Sequence, residues 1–144
     1  MVIAVFGESC TGKSTLVDAL KEKLSAEVYT GKDYLRLHGN EAMAQRLFSK
    51  KLTEAVNGEN IIFVLTEPEL LQMVPSGAYR ILVTEELDVI KERFAARMRG
   101  VLPPPVSMML ERKHGCFDAE PCDLRVHAGK PTAREVFDII MKMK

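Results

Sequence analysis

Short runs of consecutive apolar residues alternate along this chain with longer stretches in which apolar positions recur every three or four residues. The first run, Val2-Ile3-Ala4-Val5-Phe6, has no polar face and ends at Gly7, as a strand covered on both sides would. Leu16, Val17, Leu20 and Leu24 then hold one stripe at helical spacing. Glu27 to Thr30 reads as a second strand, and Asn40 is placed to cap a helix that presents Met43, Leu47, Leu52 and Val56 before Asn57-Gly58 stops it. Ile61 to Leu65 is a third, fully buried strand, and Thr66 with Glu69 predicts a capping box at the start of a short helix. Tyr79 to Val83 is the fourth strand, Thr84 is placed to cap a helix through Arg99, Leu124 to His127 is the fifth strand, and a last helix runs from Thr132 to about Met143. Between Gly100 and Pro121, where Pro103-Pro104-Pro105 and Gly115 fall, no period is readable, which predicts a mobile insertion over the sheet. The alternation as a whole argues for βαβ units, an α/β fold and a parallel sheet with helices on both faces.

Composition narrows this picture without redirecting it. A length of 144 residues suits one domain with its own core. Twenty Lys and Arg against twenty Asp and Glu leave a net charge of zero, which excludes an extended nucleic-acid-binding surface of basic residues. Three cysteines cannot all pair, and the opening apolar run is short and has no basic residue before it, so the expectation is a reducing, cytoplasmic setting. No apolar stretch reaches membrane-spanning length, and no internal repeat is present.

The chemistry starts at the end of the first strand. Gly7-Glu8-Ser9-Cys10-Thr11-Gly12-Lys13-Ser14 fits G-x-x-x-x-G-K-[ST] and lies directly between a strand and a helix. Such a loop turns backbone N–H groups inward and adds the positive end of the following helix, a cradle for the β-phosphate of a nucleotide. Gly7, Ser9, Cys10, Thr11, Gly12, Lys13, Ser14 and Thr15 are therefore the candidate nucleotide-binding residues, with Lys13 bridging the β- and γ-phosphates and the Ser14 hydroxyl on Mg²⁺. Cys10 lies at the helix N-terminus, where a thiol pKa can fall, or it packs inertly.

A phosphate loop names no reaction. No Asp has Gly three residues later, no Asn-Lys-x-Asp occurs, and Leu-Ser-Gly-Gly-Gln is absent, so the GTPase and ABC signatures are missing. The helix after the fourth strand instead ends Glu92-Arg93-Phe94-Ala95-Ala96-Arg97-Met98-Arg99-Gly100. Arg93 and Arg97 lie one turn apart on its flank, beside the apolar stripe of Leu87, Ile90, Phe94 and Met98. Two guanidinium groups there can stabilise a transferring phosphoryl group, or they are an ordinary solvated face.

These parts fall in one order. With Cys122-Asp123-Leu124-Arg125-Val126 and Pro131-Thr132-Ala133-Arg134-Glu135-Val136, the chain resembles, over nearly its whole length, the P-loop kinases of the adenylate, cytidylate and related nucleoside and small-molecule kinase superfamily. The resemblance implies a three-layer α/β/α fold with a five-stranded parallel sheet in the order 2-3-1-4-5, acceptor-binding helices over residues 31–58 and a lid over 100–121. It also implies ATP with Mg²⁺, and a small phosphoryl acceptor. By the same resemblance Ala128, Gly129 and Lys130 line the base pocket, and Arg112 supplies a lid cation.

On the acceptor side, Thr30-Gly31-Lys32-Asp33-Tyr34-Leu35-Arg36 is similar to two family patterns at once. Thr-Gly-x-x-Tyr with a nearby Arg is similar to cytidylate kinases, in which Arg36 would hold a monophosphate. Asp followed by an aromatic and then Arg is similar to polynucleotide-kinase-like enzymes, in which Asp33 would accept the proton of an attacking hydroxyl. The first pattern has the additional match, so a nucleoside monophosphate is the expected acceptor, with a hydroxyl-bearing molecule or polynucleotide end as the alternative. The third strand departs from the family by ending Leu65-Thr66-Glu67-Pro68. Glu67 either replaces the usual Asp in holding a Mg²⁺ water or is a first-turn helix acid, and this departure keeps open a nucleotide-binding regulatory protein with little turnover. His114, Cys116, Cys122 and His127 lack the spacing of a zinc site, so no metal is assigned to them.

Overall fold

Alternate residues of the first strand enter two different cores. β1 (Val2–Phe6) sends Val2, Ala4 and Phe6 to one face of the sheet and Ile3 and Val5 to the other. With a helical layer on each side, no position of the strand can be polar. The computed structural model describes residues 1–143, which form β1, α1 (Lys13–Leu24), β2 (Glu27–Thr30), α2 (Glu41–Ala55), β3 (Ile61–Leu65), β4 (Tyr79–Thr84), α3 (Leu87–Arg97), α4 (Pro104–Lys113), β5 (Leu124–His127) and α5 (Ala133–Lys142). Two 3₁₀ helices, Asp33–Leu37 and Pro68–Met73, follow β2 and β3. All strand pairs are parallel, in the order β2-β3-β1-β4-β5, so the expected α/β architecture and strand order are both found.

The Val17, Leu20 and Leu24 stripe of α1 packs with Val136 and Ile140 of α5 on Ile62, Val64 and Ile81. Thr132 opens α5 with a complete capping box, its hydroxyl accepting from the Glu135 N–H while the Glu135 carboxylate accepts from the Thr132 N–H. The opposite face is aromatic. Phe48 of α2 meets Tyr29 at 4.8 Å, Phe63 edge-on at 4.9 Å and Tyr34 in a stack at 5.6 Å. Among the described residues no helix is long and apolar enough to cross a membrane.

Four local expectations are corrected. Asn40 caps α2 by accepting from the Met43 N–H, yet Met43 and Leu47 are both 40% exposed. The buried stripe is Ala44, Phe48, Leu52 and Ala55, because the aromatic and small side chains fit the facing Tyr29 and Phe63. Thr66 makes no capping box, since Pro68 at the first helical position starts the turn after Glu67. Thr84 is the last residue of β4, with its hydroxyl 2.8 Å from His127 Nδ1, and α3 starts later, after Glu86.

The stretch after Gly100, expected to be aperiodic and mobile, instead contains the helix α4. Its prolines occupy the N-cap and first turn, where a missing N–H costs no hydrogen bond, so they open the helix. Leu110 of α4 is buried against Ile90 of α3 and Cys10. The segment begins at Arg99 and Gly100, both with positive φ (65° and 87°), and ends at Phe117, which is 1% exposed and meets Phe6 at 5.5 Å in the core. Phe117 is thus a fixed anchor. Phe117→Ala should cost about 3–5 kcal/mol in denaturant unfolding, as a buried aromatic truncation does. A loss below about 1 kcal/mol would mean the ring is not part of the core.

Candidate active site

The carboxyl ends of the parallel strands open into a cleft of about 660 Å³. Its floor is the loop Gly7–Gly12 between β1 and α1. Gly7 donates its N–H to the Leu65 carbonyl at 3.3 Å, and a Cβ there would collide with the Val83 carbonyl, so only glycine lets the chain leave the sheet at this point. Gly12 enters α1 with φ 101°, and no side chain caps the helix, leaving its first-turn amides free to serve an anion. Cys10 is non-glycine at φ 63°, a conformation that costs about 1–2 kcal/mol and must be held by its surroundings.

Lys13 is buried, and its ammonium donates to the Gly7 carbonyl at 2.9 Å and to the Glu8 carbonyl. Neutral carbonyls do not compensate the desolvation of the charge, which lowers its pKa to about 8, and Arg97 adds to the lowering. A buried cation without a full counter-charge, at the mouth of an uncapped helix, is what a bound phosphate would complete. The residues therefore fit a nucleotide polyphosphate. For Mg²⁺ the cleft offers the hydroxyls of Ser14 and Thr66, hard oxygen donors suited to a hydrated ion held chiefly through phosphates.

Most of the candidate nucleotide residues come together. Ser9 through Thr15, Arg93, Arg97 and Gly129 all line the cleft, and Gly7 lies under it with its carbonyl on Lys13. Ala128 and Gly129 turn there with φ 51° and 76°, whereas Lys130 is tied back to His127 through the backbone and does not line the cleft. Glu67 is exposed and does not line it either, Thr66 taking that place. Arg112 is exposed on α4, away from the lining.

The acceptor side divides. Thr30 and Gly31 line the cleft, and Asp33, which does not line it, is held next to them with one carboxylate oxygen accepting from the Thr30 N–H at 2.9 Å. Arg36 is drawn the other way, over the Tyr29 ring at 4.3 Å and to Glu27 at 3.6 Å, beside the strand's first residue. Tyr34 is a wholly buried core residue rather than a cleft residue. Among the described residues no His, Cys, Asp and Glu cluster can hold a metal, and His127 joins Thr84 and Glu86 instead.

Two acids outside the candidate set tie the site together. Glu8, within the phosphate loop, accepts from the Gly115 N–H and pairs with His114 Nδ1, both at 3.0 Å, and so ties the loop to the turn after α4. Glu85 is 5% exposed at the end of β4 and pairs with Arg93. Its position at the carboxyl end of a central parallel strand was the available signal.

No protein-family model matches the chain, and no curated protein matches it in sequence. Solved structures do match it in shape. A shikimate kinase from Acinetobacter baumannii superposes with a TM-score of 0.64 at 13% identity, over 99% of this chain and 91% of that one. A sugar kinase from a Janibacter species gives 0.61 at 13% identity, over 98% and 92%. A deoxyadenosine kinase from M. mycoides with bound dATP gives 0.55 at 19% identity, over 99% and 98%. The chain has the P-loop kinase fold.

The depressed Lys13 pKa has a consequence for stability. Between about pH 8 and 10.5 the unfolded chain binds the proton that the folded chain has lost, so wild-type stability rises with pH across that window. In Lys13→Met this rise is absent. The melting temperature of Lys13→Met relative to wild type, both without nucleotide, should therefore fall as pH rises from 8 to 10, and a pH-independent difference would contradict the buried charge.

Proposed function

We propose that this protein is an ATP- and Mg²⁺-dependent kinase that phosphorylates a hydroxyl group of a small polar acceptor. The observation that carries the reading is the distribution of charge around the cleft. Its cations, Lys13, Arg97 and the Glu85-paired Arg93, belong to the phosphate loop and α3, while the wall toward β2 presents Thr30, Gly31 and Thr66, with the Asp33 carboxylate bonded to the Thr30 N–H behind it. A monophosphate acceptor is a dianion and needs cations there. Arg36, the expected clamp, is occupied by Glu27 and Tyr29. A hydroxyl acceptor needs a proton acceptor, which Asp33 provides. The structural neighbours named for shikimate, sugar and deoxyadenosine are consistent with such an acceptor.

Bound ATP with Mg²⁺ would supply the phosphoryl group and screen its charge. The loop amides and Lys13 hold the polyphosphate, and Ser14 is the side chain placed to reach the ion. Arg97 faces the transferring group and offsets the charge on its equatorial oxygens. Asp33 takes the proton as the acceptor oxygen bonds to phosphorus and the bond to the ADP oxygen breaks. The segment over residues 100–121 serves as a lid, hinged at Arg99-Gly100 and anchored within it by Phe117, that excludes water from the cleft. The acceptor side is assigned to residues 31–58, of which Gly31 lines the cleft.

A second reading has its own support: Thr66 and not Glu67 lines the cleft at the end of β3, so no carboxylate from there would be at hand to hold a Mg²⁺ ion, as suits a protein that binds nucleotide and turns it over little. Product analysis with ATP against sugars, hydroxy acids, nucleosides and nucleoside monophosphates separates these. Phosphorylated hydroxyl compounds are expected. Products from monophosphates alone would refute the hydroxyl reading, and Lys13-dependent ATP binding without any product would favour the second. With the acceptor in hand, Asp33→Asn should lower kcat by about 10²–10⁴-fold with ATP affinity unchanged, whereas Arg36→Ala should leave acceptor KM within about twofold. Hydrogen exchange over residues 101–116 should slow when ATP and acceptor are both bound, and equal exchange in both states would argue against a lid.

A further inference from the structure

Arg93 and Arg97 are one helical turn apart, but their surroundings differ. Arg93 donates from Nη1 to the Cys10 carbonyl at 3.0 Å, and its Nη2 lies 3.5 Å from Glu85 Oε2. Arg97 lines the cleft and makes no ion pair or hydrogen bond among the described residues. Glu85 is itself fixed, being buried, with Oε1 accepting from the Glu86 N–H at 2.9 Å. The carbonyl that Arg93 grips belongs to the one non-glycine residue of the loop with positive φ. On its other side the Cys10 side chain is packed against Ile90 and Leu110.

We infer that Glu85 is a positioning residue for the phosphate loop: it holds the Arg93 fork on the Cys10 carbonyl, and Arg93 thereby keeps the loop curved for an anion. Of the two arginines, Arg97 is then the one left to face the phosphoryl group. An unfavourable φ persists only if neighbouring contacts over-determine it, and the Cys10 carbonyl receives a charge-assisted bond at that residue. A guanidinium presents two N–H groups in one rigid plane, so it can serve the carbonyl and the carboxylate together, which a lysine ammonium cannot do with the same geometry. The Glu85 charge cancels that of Arg93, so the pair adds little to the potential in the cleft, and its effect on nucleotide is exerted through the shape of the loop. The assignment of Arg97 rests on the kinase reading, while the brace of Glu85 and Arg93 stands on the nucleotide-free geometry.

The chain carries its own probe, because Cys10 is 6% exposed. Alkylation of Cys10 by iodoacetamide, followed by peptide mass spectrometry so that exposed Cys116 and Cys122 are counted separately, reports loop opening without nucleotide. Glu85→Ala and Arg93→Ala should each speed Cys10 alkylation by about tenfold, the equilibrium change expected from losing one charge-assisted contact. A core variant remote from the loop, Val136→Ala, separates this local opening from a general loss of stability and should label Cys10 more slowly than either. In a binding arm, each single variant should weaken ATP·Mg²⁺ by about tenfold, and the double variant should be no weaker than either, because both act through one contact. Cys10→Gly, which removes the φ penalty, should restore most of the lost affinity in the Glu85→Ala background and none in Arg97→Ala. Wild-type labelling rates in both brace variants, or losses of affinity that multiply in the double variant, would overturn the inference. If wild type binds no ATP, the kinase reading fails, and the alkylation arm still decides the brace.

Discussion

A loop that must wrap a phosphate is built from backbone that would relax if left to itself, and the tertiary structure converges on keeping it open. Gly7 escapes the sheet only because it has no side chain, Cys10 adopts a left-handed conformation, and Lys13 keeps an ammonium out of water on two neutral carbonyls. None of these is favourable alone. They are held from outside by β3 through the Leu65 carbonyl, by β4 through Glu85 and Arg93, and by the turn after α4 through Glu8. The stored cost is what a polyphosphate would release on binding, because it supplies the acceptors and counter-charge that the ligand-free loop lacks.

The same constraint organises charge across the cleft. Positive groups gather where α1 and α3 point their ends toward the loop, and the wall from β2 is left almost neutral. Arg36 illustrates why. Its guanidinium finds both a carboxylate and an aromatic face near the start of β2, and these satisfy it away from the carboxyl edge of the sheet where ligands sit in this architecture. Asp33, three residues earlier, is instead held by the N–H of Thr30, a cleft-lining residue. A single turn of 3₁₀ helix thus ties one candidate to a cleft-lining residue and the other to the start of the strand.

Strands, the two outer helices and the phosphate loop were legible in the sequence because each rests on local order. A fully apolar run has to be a buried strand, the α1 stripe keeps a helical period, and the capping box of Thr132 and Glu135 lies within four residues. The phosphate loop is likewise a contiguous string of eight residues. Errors arose where a partner distant in sequence decides the outcome. Met43 and Leu47 have a helical period as good as that of Phe48, and only the facing Tyr29 and Phe63 select which stripe is buried. Three prolines hid α4 because their disruptive reading depends on where in a helix they fall.

What the sequence by itself determined is the anion-binding chemistry of the loop from Gly7 to Ser14 and the α/β frame that presents it, since both are written in neighbouring residues. What only the tertiary structure decided is which charges reach that loop. Arg93, Cys10 and Glu85 span more than eighty residues, as do Glu8 and His114. Electrostatic roles are set by separations of a few ångströms, and a chain folded through parallel crossovers brings such groups together from positions that no sequence window contains.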